Sequence, residues 1–212
     1  MENFYPVFLD LRDKKCLVVG GGRVAYRKAA TLLACQAQVT VVAPKIIEGF
    51  NKLAEEGSIK YLKEPYAPVH LEGAFLVIGS TDNEEVNRKI ADDCFKRNIL
   101  VNIVDVPNLC NFFVPALVNR GPLSIAISTE GKSPAFAAGI RRELEKEYTT
   151  VHGEFVDFLG SLRPRILKEI PDGKKRKALF IELAGEEFFN LYKNLSPQEM
   201  EKKVTELING YK

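Results

Sequence analysis

Three consecutive glycines, Gly20-Gly21-Gly22, stand between the apolar run Cys16-Leu17-Val18-Val19 and the segment Arg23-Val24-Ala25. A strand that feeds a helix through such a turn suits a pyrophosphate. Gly20 permits the tight turn, Gly22 lets the backbone approach the ligand, and Ala25 takes the third small position, where helix packs on strand. The unpaired N–H groups at the helix start then face the phosphates, with Gly21, Arg23 and Val24 completing the loop. No Gly-Lys-Ser/Thr follows, so the Walker arrangement for phosphoryl transfer is not present.

Three further groups fall where ligand-facing loops belong in this layout. The second apolar run ends in Val41-Val42-Ala43-Pro44, which places Ala43 and Pro44 at the adenine ribose without the carboxylate usual there. Lys45 either favours a 2′-phosphate or is simply solvated, so these residues do not choose between NAD and NADP. Gly79-Ser80-Thr81-Asp82-Asn83 brings Ser80, Thr81 and Asp82 to the cofactor, and Thr81 or Asp82 also suits the cap of the next helix. Val101-Asn102-Ile103-Val104-Asp105 sets Asn102 and Asp105 beside the expected nicotinamide cleft. There Asp105 can orient a substrate nitrogen, accept a proton or meet an incoming cation; its plain alternative is a turn or a cap.

These residues need a framework, and the pattern of apolar runs supplies one. Strands are expected at Lys15–Val19, Gln38–Ala43, Ile59–Leu62, Ala74–Gly79 and Leu100–Val104, with helices near Val24–Cys35, Ile47–Glu56 and Glu84–Arg97 between them. Such alternation makes a parallel sheet covered on both faces. A further strand, Leu123–Ser128, precedes a helix that starts at Ser133-Pro134 and runs through Ala135–Glu147, with a small-residue side. From Val151 the chain reads as charged helices, broken at Pro171-Asp172-Gly173 and capped again at Ser196-Pro197-Gln198-Glu199. The expected fold class is α/β: a Rossmann-like parallel sheet over residues 1–113, a small α+β dimerisation and substrate-cleft segment over 114–145, and a C-terminal helical domain over 146–212.

Composition narrows the functional classes. The 212 residues are 46% hydrophobic, and 30 basic against 28 acidic side chains leave a net charge of +2, too balanced to indicate a nucleic-acid partner. Met1-Glu2-Asn3-Phe4-Tyr5-Pro6 opens no secretory leader and no segment has transmembrane length, so a cytoplasmic protein without a membrane partner is expected. Cys16, Cys35, Cys94 and Cys110 are scattered and read as small buried hydrophobes rather than metal ligands or disulfides. His70 and His152 form no ligand motif with Asp105.

Taken in order, Val18 through Lys28, Gly79 to Asn83 with Val86-Asn87, Val101 to Asp105, Phe113-Val114-Pro115-Ala116 and Ile127 through Pro134 resemble the precorrin-2 dehydrogenase family, the dehydrogenase and chelatase module of sirohaem synthesis. The resemblance covers most of residues 1–145. It implies NAD-dependent removal of two hydrogens from precorrin-2 to give sirohydrochlorin, and in bifunctional relatives a following insertion of ferrous iron. Asp105 matches the family's general base or metal-handling carboxylate, with only a transient iron contact and no stable metal site. Ser128 matches a serine near the tetrapyrrole pocket, and Asn111, Arg120, Lys132 and Arg141 are the other substrate-binding candidates. The resemblance also implies a homodimer and a separate methyltransferase that supplies the substrate. The competing reading is a nucleotide-sensing regulatory module that kept the fold.

Overall fold

The computed structural model describes residues 4–212; the reading of Met1-Glu2-Asn3 lies outside them. A first unit ends at Val114 and a second spans Pro115–Lys212.

In the first unit five strands, β1 (Lys15–Val19), β2 (Gln38–Val42), β3 (Ile59–Leu62), β4 (Leu76–Gly79) and β5 (Leu100–Ile103), form one parallel sheet in the order β3-β2-β1-β4-β5. Alternate residues of each strand serve opposite faces. Cys16, Val18, Val39, Val41 and Ile78 meet Ala25, Ala29 and Leu32 of α1 (Arg23–Ala34) and Phe50 of α2 (Glu48–Glu55). Leu17, Val19, Val77, Val101 and Ile103 meet Ile90, Ala91 and Cys94 of α3 (Glu84–Lys96). Both faces are dry, which is why the strands read as continuous apolar runs. The chain leaves β1 toward β2 on one side and returns to β4 on the other, so the sheet reverses its winding between β1 and β4. Ligands of open α/β sheets bind at that point, beyond the carboxyl ends of the strands.

The second unit begins with an antiparallel pair, β6 (Ala116–Arg120) and β7 (Leu123–Ile127), joined through Gly121 at φ +62°. Sequence reasoning finds β7 but not β6, whose Asn119 and Arg120 interrupt the apolar run. Helix α4 (Pro134–Glu147) starts where expected, with the Ser133 side chain accepting from the Phe136 N–H at 3.3 Å. Helices α5 (Thr150–Glu169), α6 (Gly173–Leu183), α7 (Glu186–Asn194) and α8 (Pro197–Tyr211) enclose a core of Phe155, Leu162, Ile166, Leu179, Phe188, Met200, Val204 and Ile208. Ser196 with Glu199 forms the capping box of α8, as their spacing predicts, and Asp172, within the predicted break, caps α6.

Two expectations are corrected. Cys35 is exposed at the C-terminal end of α1 rather than buried, because Ala37 takes the inward position at that turn. Helix α3 is capped by Asn83, whose Oδ1 accepts from the Val86 N–H at 3.1 Å, and not by Thr81 or Asp82. The Thr81 hydroxyl instead donates to Asn87 Oδ1 at 2.9 Å, while Asn87 Nδ2 donates to the Thr81 carbonyl at 3.0 Å.

Candidate functional site

The turn after β1 is built on two glycines with different reasons to be glycine. Gly20 sits at φ +132°, and a Cβ there would overlap the Ser80 carbonyl; a Cβ on Gly21 would overlap the Lys45 carbonyl. The loops after β1, β2 and β4 are thus in direct main-chain contact. Gly22 is the opposite case. A Cβ there meets nothing within 4 Å, so its open side faces the space a ligand would fill.

Main-chain hydrogen bonds carry the sheet ladder one residue past the strands. Gly20 N–H donates to Val42 O at 3.0 Å, Ser80 N–H to Val19 O at 2.8 Å, and Val104 N–H to Gly79 O at 2.9 Å. The Ile47 N–H closes the second loop onto Gly21 O at 3.0 Å. Above this floor lies a cleft of ≈ 680 Å³ lined by Gly20, Gly21, Gly22, Ala43, Pro44, Ser80, Thr81 and Asp82. Helix α1 opens onto it with Gly22 as its N-cap, no side-chain cap and no acidic residue in its first turn. Its first N–H groups therefore keep their affinity for an anion.

Arg23 and Val24 are the first, exposed residues of α1 and do not line the cleft. Asn102 is buried on β5, and its Nδ2 donates to Phe112 O at 3.1 Å, so the amide holds the following chain segment. Cleft residues not singled out as contacts include Ile46 and Ile47 after β2, Pro65 and Tyr66 after β3, and Val86 on α3. Tyr66 donates to Asp93 at 3.1 Å, and burial with that carboxylate raises its phenol pKa. The apolar Ile46-Ile47 pair was the legible signal, since it stands between the end of β2 and the start of α2, where ligand-facing loops belong.

Asp105 stands in the turn after β5 with φ +61°, a left-handed conformation that only a few non-glycine residues accept readily, Asp and Asn among them. Its carboxylate is exposed. Burial lowers the pKa of Lys28 on α1, the neighbouring Arg27 adds to this, and the Asp105 carboxylate pulls it back up. Asp105 and Lys28 are therefore electrostatically linked. Among the described residues no cluster of three or more His, Cys, Asp or Glu side chains is arranged to hold a metal ion. His70 is buried on Glu64 and the Ala67 N–H, and His152 accepts from the Thr149 N–H.

The tetrapyrrole candidates divide between the units. Asn111 belongs to the first, where Oδ1 accepts from Val101 N–H at 2.7 Å and Nδ2 donates to Ile99 O at 2.9 Å, in the manner of an extra strand on β5. In the second unit Arg120 donates to the carbonyls of Tyr148 at 2.7 Å and Glu145 at 2.9 Å, closing the end of α4. Ser128 Oγ accepts from the Glu130 N–H at 3.1 Å. Lys132 pairs with Glu130 at 2.8 Å, and Arg141 pairs with Glu145 at 2.5 Å.

A doubly covered parallel sheet with a glycine turn at its switch point defines the class of Rossmann-type dinucleotide-binding proteins. Residues 7–116 match the family described as "Putative NAD(P)-binding", and residues 120–147 match the family described as "Sirohaem biosynthesis protein central". The chain belongs to this NAD(P)-binding family. It is 40% identical over 172 residues to the siroheme synthase of Methylobacillus flagellatus, covering 81% of this chain and 37% of that one. The siroheme synthase of Chromobacterium violaceum is 41% identical over 174 residues, with 82% and 37% covered. The chain thus spans little more than a third of the length of these curated relatives. A solved structure, SirC, precorrin-2 dehydrogenase, superposes with a TM-score of 0.80 at 27% identity and covers 96% of this chain and 98% of that one. The first unit is an NAD-binding Rossmann domain homologous to that of SirC. No helix among the described residues is long and apolar enough to cross a membrane.

Proposed function

We propose that this protein oxidises precorrin-2 to sirohydrochlorin with NAD. The observation that carries this reading is the phosphate-ready turn at the β1/β4 switch point, in a chain of which 96% is covered by the superposition with SirC. In that reaction precorrin-2 gives up one hydride and one proton, and the products are sirohydrochlorin, NADH and H⁺. NAD, when bound, supplies the hydride acceptor.

The residues of this chain do the rest. Gly20, Gly21 and Gly22 with the N–H groups of Arg23 and Val24 receive the pyrophosphate. Ala43 and Pro44 flank the adenine ribose, Ser80, Thr81 and Asp82 wall the other side, and Asn102 fixes the chain beside the nicotinamide. Asp105 takes the proton from the macrocycle, with Lys28 near enough to steady its charge. The substrate is a flat polycarboxylate. The Lys132–Glu130 pair is exposed and screened by water, so its lysine can exchange a protein carboxylate for a substrate one at little cost. Arg141 does the same, Arg120 and Asn111 hold the chain segments around the cleft, and Ser128 faces the tetrapyrrole.

Ferrous iron is read as a substrate of a second step at the same cleft, touching Asp105 in passing, since the described residues contain no prebuilt ligand cluster. We place dimerisation on residues 114–145, ahead of a helical domain over 146–212 and after a cofactor domain over 1–113. A separate methyltransferase would supply the substrate, and neither nucleic acid nor a membrane enters the scheme. Four unpaired cysteines suit a reducing, cytoplasmic setting.

An anaerobic assay with precorrin-2 and NAD tests the reading, following NADH and sirohydrochlorin together before ferrous iron is added. Equal amounts of both products are expected. Binding of NAD without turnover, beside an active control, would leave a nucleotide-sensing module instead.

A further inference from the structure

Ahead of β1 the chain runs Phe4-Tyr5-Pro6-Val7-Phe8-Leu9 in no regular structure and without a single charge. Its side chains are largely in solvent: Tyr5 is 87% exposed, Phe8 73% and Val7 58%, with Phe4 and Leu9 also exposed. Phe4 alone finds a ring, packing edge-on against Phe113 at 4.8 Å. Among the described residues no backbone N–H of positions 4–9 donates a hydrogen bond. Six consecutive apolar residues with open main-chain donors form an unfinished surface, since scattered exposed apolars are ordinary but a contiguous run is not.

We infer that this arm is a docking segment for a second copy of the chain. The inference rests on the homodimer reading above and names the segment that completes it. Size is the first argument. A covered aromatic side chain buries about 150–250 Å², so Tyr5 and Phe8 together remove roughly 300 Å² per copy; reciprocal docking, with the acceptor surface counted, reaches about 1,200 Å² in all. That is the threshold of a stable protein interface, about 1,200–2,000 Å².

The second argument is that the chain carries its own acceptor. In the second unit Leu117 on β6, 42% exposed, and Phe136 on α4, 65% exposed, are apolar side chains open to solvent. The two-stranded β6–β7 sheet leaves both outer edges unpaired. An extended arm with free N–H groups adds to such an edge as a strand, main chain giving affinity and alternate side chains giving specificity. A copy that brings both arm and acceptor makes a self-complementary, closed pair.

The test compares the full chain with the Tyr5→Ser/Phe8→Ser double variant by sedimentation velocity across a concentration series, with hydrogen exchange on positions 5–9. Both residues are exposed, so the variant should melt within about 2 °C of the parent. The expected result is a parent dimer with slowed exchange in the arm, and a dimer dissociation constant raised at least about 30-fold in the variant. Equal dissociation constants with fast arm exchange would overturn the role of the arm while leaving the homodimer in place. A parent that stays monomeric at every concentration would overturn the homodimer reading and the arm with it.

Discussion

Replacing Gly22 by Asp should separate folding from cofactor binding. Gly22 is the N-cap of α1, with φ −87° and ψ −176°, an extended conformation that suits aspartate. Its Cβ would enter open space, so there is no packing penalty. An N-cap aspartate can accept from the free N–H groups of the first turn, and relative to glycine this is worth a few tenths of a kcal/mol in favour of the fold. The same carboxylate would stand where the pyrophosphate is proposed to sit. A unit charge about 5 Å from a like charge, at an effective dielectric near 20, costs about 3 kcal/mol. That corresponds to NAD binding on the order of 100-fold weaker. Calorimetric titration with NAD reads the affinity and urea unfolding reads the stability. Gly20→Ala is the control with the opposite signature: a strained φ and an overlap with the Ser80 carbonyl should cost on the order of 3 kcal/mol of stability. NAD affinity within threefold of the parent in the Gly22→Asp protein would refute the phosphate path. A stability loss above about 1 kcal/mol would refute the cap argument.

Asp105→Asn keeps a residue that tolerates the left-handed turn but removes the charge, so turnover should fall at least about 100-fold with NAD affinity within threefold; parent-like turnover in the precorrin-2 assay would remove the residue from the chemistry. Asn111→Leu should cost about 1–3 kcal/mol in urea unfolding, because it leaves the Val101 N–H and Ile99 carbonyl without partners; an unchanged midpoint would show that water replaces the amide freely. Thiol labelling of the native protein near pH 8 should show Cys35 as the single fast site. Burial pushes the Cys16 thiol up to about 11 and Cys94 to about 12, and it also raises the half-buried Cys110, so rapid labelling of Cys16 or Cys94 would mean that the first unit opens far more often than its packing implies.

The sheet was legible because its signals are local and mutually consistent. β1 and β3 were bounded to the residue, β1 as an apolar run ended by Gly20 and β3 as a short alternating segment between Gly57-Ser58 and Lys63-Glu64-Pro65. β6 was not, because its pairing with β7 depends on a turn at Gly121 and on partners that alternate with polar Asn119 and Arg120. At the site, the glycine turn was readable, as the close approach of the Ser80 and Lys45 carbonyls leaves no room for a side chain at Gly20 and Gly21, and Ser80, Thr81 and Asp82 line the cleft beside it. The hydrogen bonds that Asn102, Asn111 and Arg120 make within their own units were not readable. Each is a polar side chain beside a predicted cleft, which suggests a ligand contact, yet each is held in the structure by main-chain groups of its own unit. Sequence gives the donor and acceptor inventory of such residues but not which orphaned carbonyl lies within reach.

The ladder that runs past the ends of β2, β1, β4 and β5 makes the cleft floor part of the sheet rather than a set of loops laid upon it. A ligand settling there meets donors already fixed in place, so little conformational entropy is lost in arranging them. Encounter should then be governed by diffusion and orientation, with an association rate constant near the ordinary 10⁵–10⁷ M⁻¹s⁻¹ and no slow isomerisation phase. The amides of Gly20, Ser80 and Val104 should be among the slowest in the chain to exchange with solvent, opening only when the sheet itself comes apart.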